Sequence, residues 1–539
     1  MAVAPKDRGA RESTPQGESL TIHSSLVTQT ARTTDVLIVG AGPTGLSLAV
    51  QLIRYGINFV IIDKKEGITD LSKALVVHAR TLEIYDQVGL AKIAVEGGEI
   101  VQSGAFMHHG KISTRLDFSD FGRRLSPFPF LLAFEQSKNE RLLYEHLLHH
   151  AKDVLWRTEI ESLTQDADGV KAVLKAANNE TQTIEARYLV GCDGASSPTR
   201  HLLGLHFEGS TYPRLFYVAD VEMDLQVGEA TFYASFGQDS FVLMVPMQGK
   251  KHWRLIGNLP EYDNQGDRDT TYDEVESKVK QLLQRPLEIT RMRWFSTYKV
   301  HTRCTEKFSI GRCFLAGDAA HVHTPAGGQG MNTGIQDAYN LAWKIGFVLN
   351  GYAKPSLLET YNEERLANAK RLLQTTDRFF EVAAGNQWYL RFFRANILPG
   401  LARLVTQFGV AKEFIFPKVS QIGLNYRDSS LSKHQGAHGF KIKAGDRMPY
   451  FLADGASIYD KLRDPKFHLL VFSDGEHGYE DLKLEFENQY GDFNVVPLYP
   501  RVVKIFGTNR PFKVLLRPDN YIAFIGRDLS LDDLVNASR

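Results

Sequence analysis

One short stretch constrains the fold of this chain more than any other, TDVLIVGAGPTGLSLAVQLIRYGINFVIIDK at residues 34–64. A β-branched apolar run at 35–39 is followed by helical spacing of apolar residues over 44–55 and by a second apolar run at 58–62. These three segments, in this order, predict a βαβ unit, so the chain is expected to have an α/β fold that begins here.

The turn between the first strand and the helix has the pattern GxGxxG, formed by Gly40, Gly42 and Gly45 with Pro43 inside it. Such glycines let the backbone turn tightly and bring the helix N-terminus close to a pyrophosphate. Asp63 stands at the end of the second strand, where a carboxylate can accept hydrogen bonds from ribose hydroxyls. The alternative is that the glycines only permit close strand and helix packing, and the motif by itself does not distinguish NAD from FAD.

A second glycine-rich loop lies far down the chain, in GRCFLAGDAAHVHTPAGGQGMNTGIQDA at residues 311–338. It lacks the GK[ST] of a Walker loop. Asp318 stands at a strand end, and Pro325 and three glycines precede a helix that starts near Met331. If one long dinucleotide extends across the first domain, its far end needs its own site. Two loops therefore indicate one extended cofactor, and FAD fits best, because the helix dipole would stabilise a reduced, anionic flavin.

The remaining segments predict further units. Short apolar runs separated by turn residues over 205–300 are typical of an antiparallel sheet, and we interpret this region as a substrate domain inserted into the first domain. The predicted division is a disordered tail at 1–33, an FAD-binding domain at 34–204 and 301–385, the substrate domain at 205–300, a helical connecting segment at 386–435 and a third domain at 436–539.

Composition excludes several classes of function. The 539 residues carry 63 Lys plus Arg against 63 Asp plus Glu, so no general positive field favours nucleic acid. No apolar run approaches the length of a membrane helix. The three cysteines, Cys192, Cys304 and Cys313, have no paired metal or disulfide spacing. His321 and His323 alternate without a third ligand, so no metal site is predicted. We expect a cytoplasmic protein.

Three stretches carry a family resemblance: GAGPTG at 40–45, GCDGASSPTR at 191–200 and GDAAHVHTPAGGQGMN at 317–332. In this order they resemble the signatures of the class A FAD-dependent aromatic hydroxylases, the family of para-hydroxybenzoate hydroxylase and phenol hydroxylase. SKALVVHARTLEI, GLNYRDSSLS and VLLRPDNYI look most like the pentachlorophenol monooxygenase branch. The resemblance covers residues 35–539, and it implies a thioredoxin-like C-terminal domain and a homodimer. Because no cysteine follows Cys313, we expect that domain to serve packing or dimerisation.

The resemblance also implies roles for individual residues. The pyrophosphate would be held by the first loop, the adenosine ribose by Asp63, and the ribityl and phosphate region by Gln136 and Asp318. Asp193 is associated in the family with both FAD and NADPH, and Lys73 replaces an arginine found in many relatives near the flavin phosphates. The isoalloxazine would be surrounded by Pro325, Gly330, Met331 and Asn332. Ordinary explanations stay open: Asp193 could cap its own turn, Gln136 could cap a helix, and Pro325 could stiffen a loop.

By resemblance, the protein would use NAD(P)H and dioxygen to hydroxylate a phenolic or polyketide-like aromatic compound through a flavin C4a-hydroperoxide. Epoxidation, Baeyer-Villiger-type insertion and non-catalytic binding of an aromatic ligand are the alternatives. The sequence does not identify the catalytic base. Tyr212, Tyr217, His301 and Arg254 lie in the substrate region, but a tyrosine packed in the sheet or a solvated arginine is the favoured explanation for any one of them.

Overall fold

The computed structural model describes residues 32–527 apart from 71, 73, 109, 119–121, 226–227, 229, 238–239, 260–270, 285–286, 385–408, 435–437, 454, 474–479 and 490. The predicted tail at 1–33 lies outside the described residues except for its last two positions. Lys73 and the first part of the predicted connecting segment also lie outside them.

The described residues form the following strands and helices. The strands are β1 Arg32–Val39, β2 Phe59–Ile62, β3 Val76–Val77, β4 Glu99–Val101, β5 Ser103–His108, β6 Lys111–Asp117, β7 Leu131–Ala133, β8 Val154–Leu155, β9 Thr158–Gln165, β10 Val170–Ala176, β11 Thr181–Gly191, β12 Glu208–Asp224, β13 Thr231–Phe236, β14 Phe241–Pro246, β15 His252–Asn258, β16 Glu288–Cys304, β17 Ser309–Ile310, β18 Cys313–Leu315, β19 His321–Val322, β20 Leu452–Ala453, β21 Ala456–Ser457, β22 Phe467–Ser473, β23 Gly491–Pro497, β24 Phe512–Leu516 and β25 Ile522–Gly526. The helices are α1 Pro43–Arg54, α2 Ala79–Asp86, α3 Ala91–Gly97, α4 Gln136–His149, α5 Pro198–Leu202, α6 Tyr272–Leu283, α7 Gly330–Leu349, α8 Glu359–Ala384, α9 Gly409–Val419, α10 Glu480–Gln489 and α11 Pro500–Phe506.

The first sheet contains the predicted βαβ unit. Strand β1 pairs in parallel with β2 on one side and with β11 on the other, and β18 adds in parallel beyond β11. Strands β1 and β2 are apolar along their buried length because helices cover the sheet. Helix α1 packs against α7, which follows the second glycine loop. The βαβ prediction is therefore confirmed, and the two glycine-rich segments belong to one layered unit.

The second sheet has eight strands in the order β19-β16-β12-β15-β14-β13-β5-β6. Helix α6 covers one face, where Val275 and Val279 join a core that includes Leu255 and Met244. The predicted antiparallel region is present, and the sheet also takes in β5, β6 and β19 from outside residues 205–300. Strand β19 pairs with β16 and leads directly into the second glycine loop. The second sheet is thus joined to the segment of the second glycine loop through its edge strand.

The third sheet has the order β23-β22-β24-β25. Strands β22 and β23 are parallel, whereas β24 is antiparallel to both β22 and β25. Its core is separate and rich in phenylalanine, with Phe472 and Phe512 stacked at 4.3 Å between ring centroids. No helix among the residues that the structure describes could span a membrane.

Helix α7 passes through the middle of the molecule. Nearly all of its side chains are buried, including polar ones that recur at helical spacing: Asp337, Asn340 and Lys344. This polar stripe faces α8, where Glu364 and Arg365 are also buried. A buried stripe of this kind is tolerated only when every charge is paired.

The stripe ends in a charge cluster that joins the third sheet to the first unit. Glu364 accepts hydrogen bonds from Lys344 Nζ at 2.8 Å and from Arg517 Nη1 at 2.5 Å, and Arg517 also pairs with Asp519. Burial would raise the pKa of Glu364, but the Arg517 guanidinium and the Lys344 ammonium outweigh it and hold that pKa far below its ordinary value. Trp343 donates from Nε1 to Asp519 at 3.1 Å. The third domain is therefore docked by ionic contacts as well as apolar ones.

We predict that Glu364→Gln destabilises the protein by about 3–5 kcal/mol, because two buried cations lose their shared carboxylate. The neighbouring Glu363→Gln is a matched control, since Glu363 is exposed and binds Ser430 at the surface; its effect should stay below about 1 kcal/mol. Urea unfolding followed by tryptophan fluorescence measures both. Equal effects of the two variants would contradict the role of the cluster.

Candidate functional site

Two of the three glycines in the first loop are required by the protein itself. Gly40 has φ +104°, and a Cβ there would lie 2.4 Å from the Cys192 carbonyl oxygen. A Cβ on Gly45 would lie 1.9 Å from the Gly40 carbonyl oxygen. Both positions are closed to any side chain by backbone atoms. This result agrees with the packing explanation for these two glycines.

Gly42 is different, and it tests whether the loop fits a dinucleotide. Its φ of −82° and ψ of −174° suit any residue, and a Cβ would meet no atom within 4 Å. No atom of the residues that the structure describes demands glycine there. Gly42 precedes Pro43 at the start of α1, and no side chain caps the helix, so its first N–H groups are available to an anion. An open cradle at a helix start fits the pyrophosphate of FAD.

Asp63 fixes the shape of the first loop. Its Oδ2 accepts from the Ala41 N–H at 2.7 Å and its Oδ1 from the Lys65 N–H at 2.8 Å. The carboxylate is 8 % exposed and stands at the end of β2. Each oxygen keeps a further lone pair, so a bond to the adenosine ribose stays a prediction beside this structural role.

The second loop touches the first one. Gly317 follows β18 with φ +62°, and a Cβ there would lie 2.5 Å from Thr44 Oγ1 on α1. A Cβ on Gly334 of α7 would lie 2.3 Å from the same oxygen. Thr44 is therefore enclosed by two glycines that are 270 or more residues away in sequence. Asp318, next to Gly317, is exposed although its neighbours are buried, so its carboxylate lies at the surface where the loops meet.

The loop before α7 is shaped by left-handed glycines and by side chains from β3 and α2. Gly327 and Gly328 have φ +74° and +63°. Asn332 is fully buried: it donates from Nδ2 to the Val76 and Gly328 carbonyls, and its Oδ1 accepts from the His78 N–H at 2.9 Å. Asn332 thus holds the loop against the segment around Val76, and its predicted contact with the isoalloxazine remains a prediction.

The other predicted residues have local partners. Gln136 begins α4, and its Oε1 accepts from the Ala74 N–H at 3.1 Å. Asp193 accepts from Ser197 Oγ and from the Thr199 N–H at 2.9 Å, which is the turn-capping explanation left open above. Their roles toward FAD stay predictions.

Pro325 is exposed at the start of the second loop's short 3-10 turn, and Gly330 begins α7. Met331 Sδ accepts from Asn139 Nδ2 at 3.5 Å. Lys73 lies outside the described residues. The structure therefore brings Gly42, Asp318 and the start of α7 around one region.

One buried set of residues escaped the sequence analysis. Asp337 accepts from the Gly317 N–H at 2.9 Å, from His321 Nε2 at 2.8 Å and from Arg365 Nε at 2.6 Å. Burial would raise the pKa of Asp337, but Arg365 and His321 lower it below its ordinary value. The one signal in the sequence was an acid at helical spacing after the second loop.

Among the described residues, no group of His, Cys, Asp or Glu side chains forms a metal site.

Comparison with known proteins agrees with this geometry. Residues 33–376 match the family described as FAD binding domain. The 6-methylpretetramide 4-monooxygenase of Streptomyces rimosus is 32 % identical over 91 % of this chain and 90 % of its own length. Pentachlorophenol 4-monooxygenase of Sphingobium chlorophenolicum is 31 % identical over 90 % and 93 %. The chain belongs to the class A FAD-dependent aromatic hydroxylases.

Solved structures extend the comparison to most of the chain of this hydroxylase. The OxyS anhydrotetracycline hydroxylase from Streptomyces rimosus superposes with a TM-score of 0.72 at 28 % identity, covering 94 % of this chain and 98 % of that one. The family uses FAD as its cofactor and NAD(P)H as its co-substrate, so both assignments are confirmed.

We predict that Gly42→Ala weakens FAD binding by at least about tenfold, or about 1.4 kcal/mol, and leaves unfolding unchanged, because the methyl group meets cofactor but no protein atom. Gly45→Ala should destabilise the hydroxylase itself, because its Cβ meets backbone. Titration of the apoprotein with FAD, followed by flavin fluorescence, measures the first effect, and urea unfolding the second. Unchanged FAD affinity in Gly42→Ala would contradict the site.

The buried His78 generates a pH prediction. Its Nε2 donates to the Gly327 carbonyl at 2.8 Å, and burial lowers its pKa to about 4. The unfolded chain, with a histidine pKa near 6.5, binds the proton more readily, so the folded state loses stability as pH falls from about 6.5 towards 4. When the pH is lowered from 7 to 5, the free energy of unfolding of His78→Gln should fall by about 2 kcal/mol less than that of the wild type. Urea unfolding of both proteins at pH 7 and pH 5 measures this difference, and an equal loss of stability in the two proteins would contradict the prediction.

Proposed function

We propose that the substrate of this hydroxylase is a phenolic or polyketide-like aromatic compound that lies on the face of the second sheet opposite α6. Successive side chains along a strand point to opposite faces of a sheet. The strand residues that alternate with those packed against α6 therefore point to the other face. Leu255 packs in the α6 core, so Arg254 and Ile256 point away from it. Val245 packs with Leu75 of the FAD-binding unit, which indicates that this face looks towards the cofactor.

The observation that carries the proposal is one row of residues across this face. Leu243, Ile256, Val218 and Ser296 are register partners on β14, β15, β12 and β16. Leu243, Ile256 and Ser296 are partly exposed, while the residues that adjoin them along β14 and β15 are buried. A partly open, largely apolar row inside a buried face supports a pocket for a flat hydrophobic molecule.

Aromatic side chains border this open row. Trp294 and Tyr298 stand two residues on either side of Ser296, and both are partly exposed. Burial raises the pKa of Tyr298 to about 12, although Arg254 acts in the opposite direction. Tyr298 therefore keeps its proton at neutral pH and can donate a hydrogen bond to a substrate oxygen. Tyr217 lies on the α6 side instead, and the expectation of a solvated arginine is wrong for Arg254, which is fully buried.

The chemistry follows from the assembly of the two units. Bound FAD, reduced by NAD(P)H, would supply activation of dioxygen. The glycine loops and Asp318 would hold the FAD. The open row of residues on the second sheet would orient the aromatic ring of the substrate and keep water away from that ring. We extend the proposal to the architecture: the second sheet is an inserted substrate domain, and the β22-α10-β23-α11-β24-β25 unit is thioredoxin-like, as its strand order supports.

The experiment that tests the function is a screen of one-ring and fused-ring phenols for stimulated NAD(P)H oxidation by the FAD-loaded enzyme. A peroxide assay separates coupled turnover from leakage, and labelled dioxygen shows whether one of its oxygen atoms enters the product as a new ring hydroxyl. Labelled lactone or epoxide products would favour the alternative oxygenations. Absence of stimulation by any compound would contradict the proposal.

We predict that Ile256→Trp raises KM for the best phenol of the screen by about tenfold, because the indole covers the open row. FAD affinity should stay unchanged, since the register partners of Ile256 are Val218 and Leu243 of the second sheet, whereas both glycine loops belong to the first unit. Ile112→Trp, an exposed position on β6 of the same sheet, is the matched control. Steady-state kinetics at saturating NAD(P)H measure the effect, and equal KM values in the two variants would speak against the location.

A further inference from the structure

One of the contacts between the second sheet and the FAD-binding unit is made by a buried ion pair. Arg254 on β15 and Asp220 on β12 are register partners. Arg254 donates from Nε and Nη2 to the two oxygens of Asp220, both at 2.7 Å. Its guanidinium is 0 % exposed and lies 5.6 Å from the centroid of the Trp294 ring. A two-pronged pair of this kind fixes the plane of the guanidinium as well as its position.

The remaining prong of this guanidinium leaves the sheet. Arg254 Nη1 donates to the Ala74 carbonyl at 3.2 Å. The Ala74 N–H in turn donates to Gln136 Oε1 at 3.1 Å. Ala74 is therefore held from two sides, by the substrate sheet through Arg254 and by the FAD-binding unit through α4.

Ala74 begins the segment 74–78, which borders the second glycine loop. A Cβ on Gly328 would lie 2.9 Å from Val76 Cβ, so the segment packs directly on that loop. Asn332 at the start of α7 donates to the Val76 carbonyl at 2.8 Å. The Ala74 carbonyl also accepts from Ser72 Oγ at 2.8 Å and from the Gln136 N–H at 3.0 Å. The second sheet adds the hydrogen bond from Arg254 and the packing of Val245 against Leu75.

We infer that the Asp220–Arg254 pair is a positioning device that holds the segment 74–78, and with it the flavin-ring end of the FAD site, at a fixed distance from the substrate sheet. Arg254 is a positioning residue, because its contacts are with Asp220 and the Ala74 carbonyl. The inference rests on the proposed use of this sheet face for substrate. It assigns the pair to the ring end of the cofactor and not to the pyrophosphate end, which the first glycine loop holds.

This assignment has a measurable consequence, because FAD and ADP share the adenine end and differ at the flavin end. Loss of the pair should weaken FAD while leaving ADP affinity unchanged. The variants are Arg254→Lys, which keeps the charge but cannot bridge Asp220 and Ala74 in the same plane, and Asp220→Asn, which keeps the shape and weakens the acceptor. Both are milder than truncation, so the full chain is expected to fold.

The control is a second arginine–carboxylate pair on the same sheet. Arg293 donates from Nε to Glu222 at 2.7 Å, but both side chains are partly exposed and neither contacts the segment 74–78 in the contacts of the structure. Arg293→Lys therefore changes an arginine of the same sheet without touching the cofactor side. It should match the wild type in every measurement.

The experiment titrates the full-length apoprotein with FAD and with ADP, and records the visible absorbance and fluorescence of the bound flavin. For Arg254→Lys we expect the ratio of FAD to ADP affinity to fall by about tenfold, with a shift in the flavin spectrum. Asp220→Asn should change in the same direction by a smaller factor. A merely structural role would weaken both ligands equally and leave the spectrum of the bound flavin unaltered.

Two outcomes would overturn the inference: an unchanged FAD to ADP ratio in Arg254→Lys, or the same change in Arg293→Lys. Failure of the proposed function is seen separately, because it concerns phenol-stimulated NAD(P)H oxidation by the wild type, whereas this titration needs no substrate.

Discussion

The rest of the site depends on the hydrogen bonds that the buried carboxylate of Asp337 accepts. It sits inside the protein with three donors, the Gly317 N–H, His321 and Arg365. Through Gly317 it sets the left-handed turn that presents Asp318. Through Arg365 it joins α7 to α8, and through His321 it holds the end of β19, the edge strand of the second sheet. One buried charge thus fixes the second glycine loop, the central helix and the second sheet relative to one another.

This arrangement explains why a chain of the family can carry so many polar groups in its interior. The buried charges of α7 are paired along the helix: Asp337 pairs with Arg365, and Lys344 pairs with Glu364, which also binds Arg517 beside the third sheet. Buried pairs add little net stability compared with apolar packing, but a half-broken pair is costly. The geometry around α7 is therefore all-or-none, which suits a helix that must present one N-terminus to a cofactor and dock another domain on its side.

The structure also separates two kinds of glycine that look alike in the sequence. Gly40 and Gly45 are fixed by backbone contacts, whereas Gly42 is left open towards the region that FAD would occupy. Two arginines of the second sheet differ in the same way. Arg293 lies at the surface, whereas Arg254 connects the sheet to the Ala74 carbonyl. In this hydroxylase, residues of the same type therefore differ in role because the fold places them differently.

The sequence by itself determined the βαβ unit, the two glycine loops, the antiparallel region and the family, because each is written in local periodicity or in short motifs. It could not determine that Thr44 lies between Gly317 and Gly334, that Asp337 collects three donors, or that Arg254 is buried. Those facts join positions 16 to 290 residues apart, and no local pattern encodes the distance between them. Only the packing of α1, α7 and the two sheets decided them, because burial forces each charge to find a partner wherever the chain brings one.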